Sequence, residues 1–143
     1  MLGILPLFHS FGTMALWFAG NHGMATIFHT NPLDADTIGR LVQRHRITML
    51  VATPTFLQLY LRRCTPGQFG SLRDIIVGAE KLNERLARAF TERFGVRPLE
   101  GYGTTECAPV VAVNTPDFRA PGFYQAGSRA GSVGRPVPGV ALR

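Results

Sequence analysis

The stretch "ITMLVATPTFLQLYLRR", Ile47 to Arg63, changes character halfway along. Ile47 to Thr53 is an unbroken run of β-branched and apolar residues, which suits a strand covered on both faces. Thr53-Pro54 then reads as the N-cap and first residue of a helix running toward Arg63. A doubly covered strand that passes directly into a helix is half of a βαβ unit, so the chain around it should alternate in the same way.

It does. Downstream, "CTPGQFGS" reads as a loop, "LRDIIVGAE" as a strand reaching a glycine, and "NERLARAFTERFG" as a helix. In that helix Asn83 can cap, Leu86 and Phe90 share a face, Glu84 stands four before Arg88, and Gly95 ends it. Upstream, "ILPLFH" (Ile4 to His9) and "MATIFH" (Met24 to His29) are strand-like, with a buried helix expected from about Phe11. "NPLDADTIGRLVQRHR" places Ile38, Leu41, Val42 and His45 at helical spacing, with Asp34 or Asp36 as N-cap. "VRPLEG" and "PVVAVN" supply two more strands, and the Gly-, Pro- and Arg-rich segment from Pro116 to Gly139 reads as loop. The fold class is α/β: a mostly parallel sheet flanked by helices. Ligands of such sheets bind beyond the carboxyl ends of the strands. "FHSFG", "GAEKL" and "GYGTTE" all follow strands in this reading and should share one cleft.

Composition agrees with a globular chain: 143 residues, 45% hydrophobic and 17% charged. No secretory signal is visible, and "FGTMALWFAG" (Phe11 to Gly20) is about half the length of a membrane span. The net charge of +6 rests on fourteen arginines against one lysine, Lys81. Such an excess favours an anionic partner, although arginines scattered over solvated helix faces explain it equally well. No stripe of aromatic and basic residues suggests nucleic acid. Cys64 and Cys107 are far apart and read as reduced thiols, and Cys107 has no recognisable base partner.

"EGYGTTECAPVV", Glu100 to Val111, is neither a dinucleotide fingerprint nor a Walker loop. Gly101 and Gly103 let backbone N–H groups approach a ligand, Thr104 and Thr105 offer hydroxyls, and Tyr102 offers a stacking face. Glu106 is a hard oxygen ligand suited to Mg²⁺ beside phosphates. The same residues also read as a tight turn with a solvated glutamate. Glu80, just past a strand, could accept from an adenine amino group or cap the next helix. His9, between two phenylalanines, reads either as a satisfied core histidine or as a catalyst. Ser10 beside it cannot complete a triad with its own neighbour.

"PLFHSFG", "GAEKL", "EGYGTTECAPVV" and "GSVGRPVPG", in this order and across essentially the whole chain, resemble the adenylate-forming, AMP-binding ligases. Within that superfamily the likeness is to the bifunctional 2-acylglycerophosphoethanolamine acyltransferase/acyl-ACP synthetase group. The resemblance implies that Tyr102 stacks on adenine, that Thr105 binds the AMP phosphate with Gly101, Gly103 and Thr104 around it, and that Glu106 ligates Mg²⁺. Gly78, Ala79 and Glu80 would line the adenine and acyl side, and His9 with Phe11 would stand at the acyl carboxylate. Amino-acid-activating relatives carry an aspartate where this chain has His9, so the implied substrate is a fatty or other simple carboxylic acid. The implied reaction joins acid and ATP into acyl-AMP, then transfers the acyl group to the thiol of acyl carrier protein or coenzyme A. The net charge suits an acidic carrier protein and equally an anionic membrane surface. The implied location is the cytoplasm, with the inner face of the membrane as a further station of a parent protein.

Nothing in the chain matches the family's phosphate loop with its lysine, its TGD motif, or its C-terminal domain with the catalytic lysine; Lys81 belongs to "GAEKL". The expectation is therefore that residues 1–143 form the central piece of a large N-terminal adenylation domain, inactive by itself. Uncovered edges and faces of such a piece favour self-association. A non-catalytic nucleotide-binding or carrier-protein-docking module is the alternative.

Overall fold

A computed structural model describes residues 1–141. In chain order the elements are β1 (Leu2–Gly3), α1 (Ser10–Asn21), β2 (Ile27–Phe28), α2 (Ala35–His45), β3 (Met49–Ala52), α3 (Pro54–Arg63) and the short α4 (Pro66–Phe69). There follow β4 (Asp74–Val77), α5 (Glu84–Phe94), β5 (Pro98–Gly103), a 3-10 turn (Thr105–Cys107), β6 (Val110–Val113), β7 (Phe118–Ala120), β8 (Phe123–Gln125) and β9 (Arg135–Pro136). The main sheet has the order β2-β1-β3-β4-β5-β6-β9. Its first five strands are parallel, while β6 and β9 are antiparallel to their neighbours.

This order contains a reversal. The chain steps outward from β1 to β2, then passes back over β1 to β3 and continues the other way. Right-handed crossovers taken in opposite directions put their helices on opposite faces. Accordingly α1 lies with Met1 and Val51 on one face, through Ala15 and Ala19. Helices α2, α3, α4 and α5 pack on the other, over Leu50, Ala52, Ile75 and Val77. The two-residue alternation along β3 does the sorting, Leu50 and Ala52 facing one way and Val51 the other. Ligands of open α/β sheets bind at such a switch point, which here lies beyond the carboxyl ends of β1 and β3.

The helices begin where local chemistry dictates. Asp34, not Asp36, caps α2 and accepts from the Thr37 N–H at 3.0 Å. Thr53 caps α3 with Pro54 following, and the Asn83 side-chain Oδ1 accepts from the Arg85 N–H at 2.8 Å to cap α5. Gly95, at φ 75°, closes α5 in the left-handed conformation that glycine adopts without penalty. Under α5 the rings of Phe90 and Phe94 meet at 4.6 Å, and Phe94 meets Phe69 at 4.9 Å.

Several sequence expectations are corrected. The first strand is Leu2–Gly3 rather than Ile4 to His9, because Pro6 and the turn after it take the chain out of the sheet. Helix α1 forms but is covered on one side alone: Gly12, Ala15 and Ala19 face inward while Trp17 stays 66% exposed. His45 is exposed at the end of α2. The "CTPGQFGS" loop contains α4, where Pro66 follows the cap residue Thr65 and Gln68 accepts from the Thr65 N–H. Glu84 pairs at 3.0 Å with Arg97, not Arg88, since β5 returns beside the start of α5. Finally, Pro116 to Gly139 is not all loop, for β7 and β8 form a hairpin and β9 joins the main sheet.

The two cysteines differ in kind. Cys107 is exposed, whereas Cys64 is buried and its thiol donates to the Ala35 carbonyl at 3.4 Å. Burial pushes the Cys64 thiol up to about 11, with Asp36 adding to the rise and Arg93 opposing it. A raised folded value favours the protonated form, so its stabilising contribution is complete below the ordinary thiol value of 9.0 and fades as pH rises through about 11. Iodoacetamide at pH 8 should therefore modify Cys107 in the native chain and Cys64 only after unfolding. Equal labelling of both, read by mass spectrometry of the digested protein, would contradict this burial.

Candidate functional site

The stretches predicted to share a cleft are brought together at the carboxyl end of the sheet. After β1 the chain turns through Leu5 to His9 and enters α1. The His9 ring caps that helix, its Nδ1 accepting from the Phe11 N–H at 3.1 Å, and the ring itself is exposed. A nitrogen that accepts carries no proton, so this geometry leaves Nε2 as the ring's donor. Thr13 braces the turn from within α1, its hydroxyl donating to the Leu7 carbonyl at 2.5 Å.

Gly78, at the end of β4, is buried against this segment. A Cβ placed there would stand 3.2 Å from the Phe11 ring and 3.6 Å from the Gly101 carbonyl oxygen, so Phe11, Gly78 and Gly101 meet at one point. Ala79 follows at φ 68°, a left-handed conformation that costs a non-glycine residue energy and turns the chain sharply out of β4. Glu80 is exposed and does not cap α5, a role that falls to Asn83. Its carboxylate accepts instead from the Thr55 hydroxyl at 2.6 Å, joining the end of β4 to the first turn of α3.

Strand β5 carries the glycine-rich stretch out of the sheet. Gly101 is hemmed in by the Ala112 carbonyl, 3.2 Å from an added Cβ. Tyr102 is 51% exposed. The register with β6 slips between Tyr102 and Gly103. At that slip a Cβ on Gly103 would fall 2.1 Å from the Pro109 carbonyl oxygen, which itself accepts from the Thr104 N–H at 2.8 Å. Thr105 and Glu106 stand on the 3-10 turn that follows, both exposed. The Thr105 and Ser10 hydroxyls lie 3.1 Å apart, a bond that ties the first stretch to the last.

Four residues here went unassigned in the sequence reading: Ser10, Thr55, Glu100 and Asn114. Glu100 is buried, and its carboxylate accepts from the Leu82 N–H at 3.1 Å, fixing "GAEKL" to β5. Asn114 donates from its side chain to the Glu100 and Ser132 carbonyls and accepts from the Arg129 N–H, so it clamps the "GSVGRPVPG" region onto the sheet. A glutamate inside one strand and an asparagine directly after another were the visible signal, since buried polar groups are retained with partners.

The Glu106 carboxylate makes no hydrogen bond or ion pair with any described residue, and no cluster of three or more potential metal ligands occurs among them. Such a lone, outward carboxylate fits Mg²⁺, which is held by one or two protein carboxylates with phosphates and water. It does not fit a closed structural metal centre. Among the described residues no helix is long and apolar enough to cross a membrane.

Comparison with known proteins agrees with this fold. A family model described as "AMP-binding enzyme" matches residues 1–143. Indoleacetate–CoA ligase of Aromatoleum aromaticum is 32% identical over 145 residues, covering 100% of this chain and 27% of that protein. A long-chain-fatty-acid–CoA ligase of Yersinia pestis is 30% identical, with 97% of this chain and 24% of the relative covered. The structure of O-succinylbenzoate coenzyme A synthetase from Bacillus subtilis, in complex with ATP and magnesium, superposes with a TM-score of 0.76 at 27% identity over 96% of this chain and 27% of that one. The sheet and its helices thus correspond to part of an adenylate-forming domain, and the chain spans about a quarter of the length of these relatives.

Proposed function

The chain belongs to the AMP-binding enzyme family, and from that premise we propose that it carries the adenylate site of an ATP-dependent acyl-activating ligase. The observation that carries this reading is the convergence of Phe11, Gly78 and Gly101, with the Ser10–Thr105 bond beside them. It brings the start of α1, the end of β4 and strand β5 together in one place.

In this proposal Tyr102 stacks on the adenine, with Gly78, Ala79 and Glu80 along its edge. Gly101, Gly103 and Thr104 shape the loop so that the Thr105 hydroxyl meets the α-phosphate. The acid's carboxylate lies toward His9, whose Nε2–H is the donor left free by the cap. Attack of a carboxylate on a phosphate brings two anions together, so donors fixed where negative charge accumulates lower the barrier. Glu106 would hold Mg²⁺, which would supply further charge neutralisation at the phosphates. The exposed Leu7 and Phe8 beside His9 favour an acid with an apolar body, such as a fatty acid or an aryl acid. The acyl acceptor is a pantetheine thiol: that of coenzyme A, as in the names of the relatives, or that of acyl carrier protein, as the acyl-ACP synthetase likeness implies.

Metal dependence tests the reading and separates it from a docking module without chemistry. ATP should bind this chain more tightly with magnesium than with EDTA. Glu106→Gln should remove that gain, by at least the roughly tenfold that losing even an outer-shell partner of a metal costs. ATP affinity that ignores both magnesium and Glu106 would favour the docking module.

A further inference from the structure

The bond between Ser10 and Thr105 spans 95 residues of sequence and joins two segments with different tasks. Ser10 is the first residue of α1 and directly follows His9. Thr105 is the first residue of the 3-10 turn. At 3.1 Å either hydroxyl can donate to the other. A hydroxyl has one proton to give and two lone pairs to accept with. Once the Thr105 proton is directed at a phosphate oxygen, Ser10 must become the donor of the pair. Its hydrogen bond then falls on the Thr105 oxygen and polarises the outward O–H, since consecutive hydrogen bonds strengthen one another.

Both ends of this relay are held from behind. The His9 cap and the Thr13–Leu7 bond fix the turn that presents Ser10. Thr104 and Pro109 fix the slip in register that presents Thr105. Ser10 makes no other side-chain hydrogen bond among the described residues, so its hydroxyl is committed to this one contact.

We propose that Ser10 is a positioning residue: by donating to Thr105 it orients that hydroxyl toward the phosphate and fixes the distance between the carboxylate side of the cleft, at His9, and the phosphate side. This rests on the reading of Thr105 as the phosphate-binding hydroxyl. The consequence is a preference for phosphate rather than for nucleoside, because the Ser10 hydroxyl acts through Thr105, its one side-chain hydrogen-bond partner among the described residues.

AMP and adenosine are the probes, titrated against the wild-type chain and its Ser10→Ala, Ser10→Thr and Thr105→Ala variants, with circular dichroism melting as the check on folding. One uncharged hydrogen bond predicts that Ser10→Ala weakens AMP roughly three- to tenfold. Adenosine should be unaffected, and Ser10→Thr, which keeps the hydroxyl, should restore AMP binding. If Ser10→Ala leaves the AMP-to-adenosine ratio unchanged while Thr105→Ala lowers it, the positioning role is overturned and the phosphate role of Thr105 stands. Equal weakening of both probes by Ser10→Ala would also overturn it, since that is the mark of a merely structural residue. If Thr105→Ala leaves the ratio unchanged as well, the phosphate reading itself falls.

Discussion

Phe90→Ala should destabilise the chain by about 3–5 kcal/mol, a large share of what a domain of this size holds in reserve. Phe90 is completely buried and belongs to an aromatic group centred on Phe69, 4.6 Å from Phe94 and 6.1 Å from Phe69 between ring centroids. Phe69 in turn meets Tyr60 edge-on at 85°. Truncation removes the ring's transfer energy and also leaves a void that its neighbours can fill only in part. Tyr60 cannot move to fill it without breaking the 2.7 Å bond from its hydroxyl to the Pro32 carbonyl. The effect should appear as a lower denaturation midpoint in urea with little change in slope. A loss below about 1 kcal/mol would mean that the α5 side of the core is loosely packed.

Gly103→Ala should cost far more in ligand binding than in stability. The added methyl would stand 2.1 Å from the Pro109 carbonyl oxygen, a backbone atom that cannot rotate away. Strands β5 and β6 must separate at that point. The 2.8 Å bond from Thr104 to the same oxygen opens with them, and Thr105 and Glu106 swing out of place together. Overpacking of this kind typically costs about 1–3 kcal/mol, and the exposed position of Gly103 places it at the low end. A displacement of about 1 Å in a positioned group, by contrast, can cost on the order of a hundredfold in function. Adenylate binding reduced on that scale, with a melting temperature shifted by only a few degrees, is the expected pair of results.

Much of this architecture is written in local pattern. The apolar run before Thr53-Pro54 announces β3 and α3, and Asn83 and Gly95 bracket α5, because caps and breakers act within a turn of the residues they affect. The α4 turn was missed in a segment read as loop, although Thr65-Pro66 followed by Gln68 is a capping signature. The β7–β8 hairpin was harder to see. Pro121-Gly122 marks its turn, but the strands are three residues each, too short for an alternation to stand out. What no local pattern could supply is the pairing of groups distant in sequence. The hydroxyls of Ser10 and Thr105, the Thr55 bond to Glu80 and the Glu100 bond to Leu82 depend on the strand order, and the reversal at β1 that sets that order leaves no mark on any one segment.

An adenylate site at the carboxyl end of this sheet must bind an adenylate. Calorimetric titration of the chain with a non-hydrolysable acyl-adenylate mimic, in magnesium, tests it most directly, with Gly103→Ala as the companion variant. Saturable one-to-one binding to the wild type, lost in the folded variant, is the predicted result. A folded wild-type chain that takes up no mimic, or two superimposable isotherms, would contradict it.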